Sequence, residues 1–232
     1  MKYLHIIAEG NSEEEFIRKV LGQHLARFGV YVYCQRVHTG GNKTHPVKGG
    51  LGRIPKYRPV IRALERWIDA DRNREQVYYS TMLDLYAFPK DAESPYSEAI
   101  QSIEDKYKRV RELEKAMLEK HGHPKLIPYV QLHEFETLLL VDLDRLKVMY
   151  PDCKKPIDKL KNETAGKNVE LINEGLTTAP SKRIIAAVPQ YEVQKSTVGP
   201  IVAQDIGIDL LKQKCPHFNE WVTKLEKLGD VE

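Results

Sequence analysis

Cysteine is scarce in this chain. Cys34, Cys153 and Cys215 lie far apart and form no Cys-x-x-Cys pair, which argues against a disulfide framework or a thiolate zinc site and suggests three reduced, structural thiols. No run approaches the roughly 20 apolar residues that span a bilayer, and the first residues carry neither the basic segment nor the small-residue cleavage site of a signal peptide. The expected location is therefore cytoplasmic, with no membrane partner. A Gly-x-x-x-x-Gly-Lys-Ser/Thr motif is also missing, so any ATP hydrolysis would have to come from another subunit. Neither sign of charge dominates, with 36 Lys and Arg against 33 Asp and Glu. That balance is too even to argue for nucleic acid by itself. One absence is local: residues 36 to 62 hold no acid, yet carry Arg36, Lys43, Lys48, Arg53, Lys56, Arg58 and Arg62.

What is present is enough for a core, since 41% of the 232 residues are apolar. Strand and helix patterns alternate. Residues 2 to 8 predict a strand, 12 to 28 a helix with Phe16, Val20, Leu21, Leu25 and Phe28 near helical spacing, and 30 to 38 a second strand. A glycine-rich loop over 39 to 52 follows, then a helix from Lys56 to Asp71 and a strand from Gln76 to Leu85. This order predicts a mostly parallel α/β sheet flanked by helices. Residues 94 to 120 predict one long amphipathic helix, and residues 126 to 130 a fourth strand. Beyond Asp142 strand signals fade, which divides the chain into an α/β part, 1 to 142, and a helical carboxyl-terminal subdomain, 143 to 232. Helices are expected there over 144–150, 156–162, 168–174, 180–188, 201–214 and 218–228.

Carboxylates stand where strands end. The run Tyr3 to Ala8 closes on Glu9-Gly10-Asn11-Ser12-Glu13-Glu14-Glu15, and the carboxyl edge of a parallel sheet is where open α/β folds bind ligands. Gly10 suits the tight turn, with Asn11 or Ser12 as cap and Glu15 completing a capping box with Ser12. Asp84 ends the third strand. If the first and third strands are neighbours, both acids reach one edge, and hard oxygen ligands with few histidines point to Mg²⁺ or Mn²⁺. His133-Glu134-Phe135-Glu136 brings further acids to the end of the fourth strand, where Glu134 or Glu136 could hold a second ion. The loop cations Lys43, Lys48, Arg53 and Lys56 suit phosphate contacts. Lys182 and Arg183 sit at a helix start, where the dipole disfavours cations unless an anion is near, which makes Lys182 a candidate phosphate or transition-state contact.

These residues resemble the topoisomerase-primase (TOPRIM) fold, especially the nuclease branch found in overcoming-lysogenization-defect proteins, and more closely a TOPRIM-like family of bacteria and archaea. The resemblance rests on Glu9-Gly10-Asn11-Ser12-Glu13-Glu14, on Met82-Leu83-Asp84-Leu85-Tyr86 with Pro89, and on Gln131 to Leu139. It extends to Ala179-Pro180-Ser181-Lys182-Arg183 and Cys215-Pro216-His217-Phe218. It implies acid/base or metal roles for Glu9, a further acid at Glu13, a nuclease acting on DNA or RNA, and a phage-defence or mobile-element setting beside an ATPase. The third-strand motif of such enzymes is Asp-x-Asp, whereas Asp84-Leu85-Tyr86 lacks the second aspartate. One ion, a substitute acid such as Asp91, or a non-catalytic adaptor docked on an ATPase would each accommodate that departure.

Overall fold

The computed structural model describes residues 1–37, 56–86, 88–172, 175 and 177–230. Strands β1 (Lys2–Ala8), β2 (Val30–Arg36), β3 (Val77–Asp84), β4 (Leu126–Ile127) and β5 (Val130–Gln131) form one sheet in the order β2-β1-β3-β4, with β5 also paired to β3. Every pairing is parallel. Helices flank it: α1 (Asn11–Phe16) and α2 (Gly22–Ala26), joined by a π-helical stretch at Ile17–Leu21, then α3 (Arg58–Ala70), α4 (Glu98–Gln101) and α5 (Lys106–His121). The protein is thus a mixed α/β fold with a helical carboxyl-terminal region.

The period-two alternation of the strands sends their side chains into two separate cores. Leu4, Ile6, Ala8 and Met82 pack with Phe16, Leu21 and Leu25 and with the carboxyl-terminal helices. Ile7, Val77, Tyr79 and Leu83 pack instead with Val60 and Leu64 of α3 and Val110, Leu113 and Met117 of α5. Asp84 lies an even number of residues from Ser80 and Met82, so it shares their face.

Several elements depart from the sequence expectation, among them the helix expected over 168 to 174, which is a 3-10 turn at Val169–Leu171. The long helix predicted over 94 to 120 is two helices, because Ser97 caps α4 by accepting the Ile100 N–H and Asp105 caps α5 by accepting that of Lys108 at 2.7 Å; each cap marks a fresh start. The fourth strand is broken in two at Pro128, which has no N–H to give. The hydroxyl of Thr81 bridges the break, accepting from the Tyr129 N–H at 3.0 Å and donating to its carbonyl at 2.9 Å. The capping box at the start of α1 is built by Gly10 and Glu13, whose Oε2 accepts the Gly10 N–H at 2.8 Å, while Glu15 pairs with Lys19.

Beyond residue 143 come α6 (Asp144–Met149), α7 (Lys154–Thr164), α8 (Pro180–Ala187), α9 (Tyr191–Ile206), α10 (Ile208–Lys214) and α11 (Pro216–Glu226). The helix expected over 201 to 214 is therefore the end of α9 and all of α10, parted at Gly207, whose φ of 83° suits glycine. Helix α11 docks on the sheet through Trp221, which stacks on Tyr129 at 4.1 Å and donates its indole N–H to Ser80 at 2.9 Å. Its start has no side-chain cap from Cys215. Glu170, fully buried, supplies one instead: its carboxylate accepts the N–H groups of His217 and Phe218, both at 3.0 Å, and the Tyr107 hydroxyl at 2.9 Å. Among the described residues no helix is long and apolar enough to cross a membrane.

Candidate functional site

Strands β1 and β3 are neighbours in parallel register, Ala8 opposite Met82, and this places their terminal carboxylates side by side. Glu9 accepts the Asp84 N–H at 2.8 Å. One turn into α1, Glu13 is folded back by its bond to Gly10 and is buried beside Glu9. Asp84 Oδ1 is buried with no hydrogen-bond partner. Glu134 and Glu136 arrive from the far side of β5, at a turn where His133 holds a left-handed φ of 68°, a costly conformation for a residue with a side chain.

Five carboxylates therefore share one edge, and the ionisation of four of them reflects it. Burial, with the Glu134 charge adding to it, pushes Glu9 up to about 7. Burial and then Glu9 push Glu13 up to about 8. Asp84 is raised well above the usual range by burial first and then by Glu9, Glu13, Glu134 and Glu136. Burial also raises Glu136, against the pull of Lys195. Like charges crowded in a poorly solvated edge hold each other's protons on.

The sequence candidates divide sharply. Glu9, Glu13, Asp84, Glu134 and Glu136 are brought together. Lys182 is not among them: it is exposed and lines a cleft of about 530 Å³ with Lys155, Lys159 and Arg183. The anion that its helix start called for is Glu134, which takes the Ser181 N–H at 2.6 Å and the Ser181 hydroxyl at 3.0 Å. Lys43, Lys48 and Arg53 lie outside the described residues, and Lys56 is exposed. Asp91 does not stand in for the missing second aspartate; both its oxygens face the Tyr57 N–H at 3.3 Å. At the flank of the cluster, Arg36 pairs with Glu14 at 2.5 Å.

Tyr191 and Lys195 escaped the sequence reading. Tyr191 donates its hydroxyl to Glu136 at 3.3 Å, and Lys195 lies 3.6 Å from the same carboxylate. Their i,i+4 spacing puts both on one face of α9, but that signal is invisible without knowing that a helix begins at Tyr191.

The donor atoms of these acids are all oxygens, the chemistry that hard divalent cations take. Among the described residues no three acids are already drawn into a ligand shell. The orphaned Asp84 oxygen and the mutual raising of the carboxyls nevertheless fit such an ion, whose charge would reverse the repulsion. Glu9, Glu13 and Asp84 are the best placed, because the oxygens of Glu134 are engaged with Ser181 and Glu136 is shared by Tyr191 and Lys195.

Two results are expected from this geometry. A Cβ added at Gly10 would stand 2.9 Å from Glu13 Oε2, so Gly10→Ala shifts that carboxylate while leaving the backbone in an ordinary extended conformation. If the cluster holds Mn²⁺, the substitution lowers that affinity by about tenfold or more with little change in melting temperature; calorimetry and a thermal melt check the two halves. The second concerns pH. A carboxyl raised in the fold keeps its proton after the unfolded chain has released its own, so folding stability falls as pH rises from about 4 towards 8 and then levels off. Glu13→Gln removes that residue's share of the loss and leaves unchanged the opposite effect of buried histidines, His121 and His133, which burial lowers to about 4. In a chelator, the Tm advantage of Glu13→Gln over wild type is nil below pH 4 and grows to about 3 °C or more above pH 8.

Fold and site together define a parallel α/β protein with an acidic cluster at the carboxyl edge of its sheet. Residues 8–226 match the family model described as "Domain of unknown function (DUF4276)", and the chain belongs to that family. No curated protein and no solved structure matches it.

Proposed function

We propose that the protein hydrolyses phosphodiester bonds in nucleic acid, using Mg²⁺ or Mn²⁺ held by Glu9, Glu13 and Asp84, with Glu134 and Glu136 shaping the second side of the site. The observation that carries this reading is the convergence of five carboxylates on one sheet edge, one of them with a buried oxygen left without a partner. When bound, the ion would make a water acidic enough to act as nucleophile at neutral pH and would offset charge on the phosphoryl oxygens. The chain's own residues do the positioning. The Asp84 N–H fixes the Glu9 carboxylate, the Gly10 N–H fixes that of Glu13, and Lys195 brings a cation to the cluster through Glu136. The TOPRIM resemblance supports the same chemistry and suggests an ATPase partner and a defence or mobile-element setting.

The test is cleavage of plasmid, single-stranded DNA and tRNA with Mn²⁺ or Mg²⁺ against a chelator control. Metal-dependent cleavage that Glu9→Ala abolishes is expected. A second reading, a non-catalytic adaptor for an ATPase, is favoured by the commitment of Glu134 to Ser181 and by Tyr86 standing two residues after Asp84. It predicts no cleavage and no rise in Tm with Mn²⁺.

A further inference from the structure

Immediately beside the acidic edge is a cavity of the opposite character. It has a volume of about 330 Å³ and is lined by Tyr86, Lys90, Tyr96, Lys106, Arg109 and His133, among others. Among the described residues no acid lines it. It joins the cluster through two chain segments at once, since Tyr86 follows Asp84 by two residues at a turn, at most about 7 Å of chain, and His133 precedes Glu134. The two segments are tied by the Tyr86 N–H, which donates to the His133 carbonyl at 2.9 Å.

The wall is built rather than incidental. Arg109 donates Nε to the Ile103 carbonyl at 2.6 Å and hydrogen-bonds Tyr96, which orients its guanidinium and leaves N–H donors over. Lys90 sits above the Tyr96 ring at 5.8 Å. Neither Lys90 nor Arg109 pairs with a carboxylate among the described residues. His133 is held left-handed at this wall, a strain that persists only where the surroundings impose it. Tyr86 is 43% exposed, an aromatic face open to solvent at the cavity mouth.

We infer that this cavity binds the nucleotide next to the cleaved bond in a single strand of nucleic acid, with its phosphate on Lys90 and Arg109 and its base on Tyr86. The inference rests on the phosphodiesterase reading and deepens it. A strand whose one phosphate meets cations bound by acids needs its neighbouring phosphate neutralised by the protein itself, and this basin lies one nucleotide's reach away. Stacking on a tyrosine tolerates any base, so the site recognises a strand and not a sequence.

The experiment is fluorescence anisotropy of a fluorescein-labelled oligothymidylate over a series of KCl concentrations, in EDTA and in an Asp84→Asn background so that the strand stays intact. Lys90→Glu and Arg109→Gln should each weaken binding about tenfold and reduce the slope of log K against log[salt] by about 0.7 per lost phosphate contact. Tyr86→Ala should cost about 5- to 100-fold, and Tyr86→Phe should bind like the parent. Lys90 is an exposed side chain, so its variant reports on binding even if Arg109→Gln disturbs the fold. An oligonucleotide that does not bind, or that binds Lys90→Glu and Tyr86→Ala as well as their parent, overturns the inference. Cleavage by wild type is scored separately. If cleavage occurs and Lys90→Glu binds normally, the subsite falls and the nuclease stands. If Lys90→Glu weakens binding about tenfold and wild type never cleaves, the cavity stands as a strand-binding site only, and both the nuclease and the placement beside a cleaved bond fall.

Discussion

Replacing Asp84 by Asn is expected to reduce metal-dependent cleavage by on the order of 10³-fold, the scale on which removing one electrostatic contributor lowers turnover. The reasoning is geometric. Asp84 stands at the centre of the cluster, is influenced by all four other acids, and has a buried oxygen that nothing in the protein satisfies. Asn keeps the size of the side chain and its backbone bond to Glu9, so packing is preserved. It removes the negative charge that would bind the ion. In a chelator at pH 8 the variant should melt above wild type, because Asp84, raised in the fold, costs stability at every pH above the ordinary carboxyl range. That gain disappears near pH 4. Activity lost and metal-free stability gained by the same change separate a functional acid from a structural one. Cleavage undiminished in Asp84→Asn would remove the carboxylate edge as the seat of chemistry.

The second large effect is on stability. Glu170→Ala should lower unfolding free energy by about 3–5 kcal/mol, or roughly 10 °C in Tm. Glu170 is fully buried and caps a helix that starts 46 residues later in sequence, since 216 minus 170 is 46. Without it, two buried N–H groups at the start of α11 and the Tyr107 hydroxyl lose their acceptor together, and unsatisfied buried donors are costlier than missing hydrogen bonds. Glu170→Gln retains one acceptor oxygen and the side-chain volume, and should cost about 1–2 kcal/mol. Urea unfolding followed by tryptophan fluorescence measures both, with Trp221 on the affected helix. Equal melting of Glu170→Ala and wild type would show that α11 is held by packing alone.

The contrast between Asp84 and Glu170 also marks what could be read in the sequence. Strand ends are local events: an apolar run that stops at an acid is visible in the order of residues, and the parallel sheet then carries Glu9 and Asp84 to one edge. Glu134 and Glu136 were legible for the same reason. Glu170 lies in no motif, because its partners are backbone groups of a distant helix. Lys182 shows the limit from the other side. The cation at a helix start was a sound signal for an anion, but the anion is Glu134, and only the packing of α8 against the turn after β5 reveals it. Tyr191 and Lys195 were hidden by Pro200, which sits inside α9 and suggested a helix beginning after it.

The shared core of β1 and α11 has a consequence for the order of events during synthesis. Leu4 and Ile6 belong to the same apolar cluster as Phe218, Trp221, Val222 and Leu225, and His24 is joined to Glu226 at 2.6 Å. One face of β1 is covered first by α1 and α2 and completed only by α11, more than two hundred residues later, and contacts so distant in sequence make folding slow. Before α8 and α9 dock, Glu134 lacks Ser181 and Glu136 lacks Tyr191 and Lys195. The nascent chain therefore spends translation with this apolar sheet face incompletely covered and its acidic edge unassembled. Exposed in this way the chain is aggregation-prone until α11 docks, and the acidic cluster is complete only once α8 and α9 are in place.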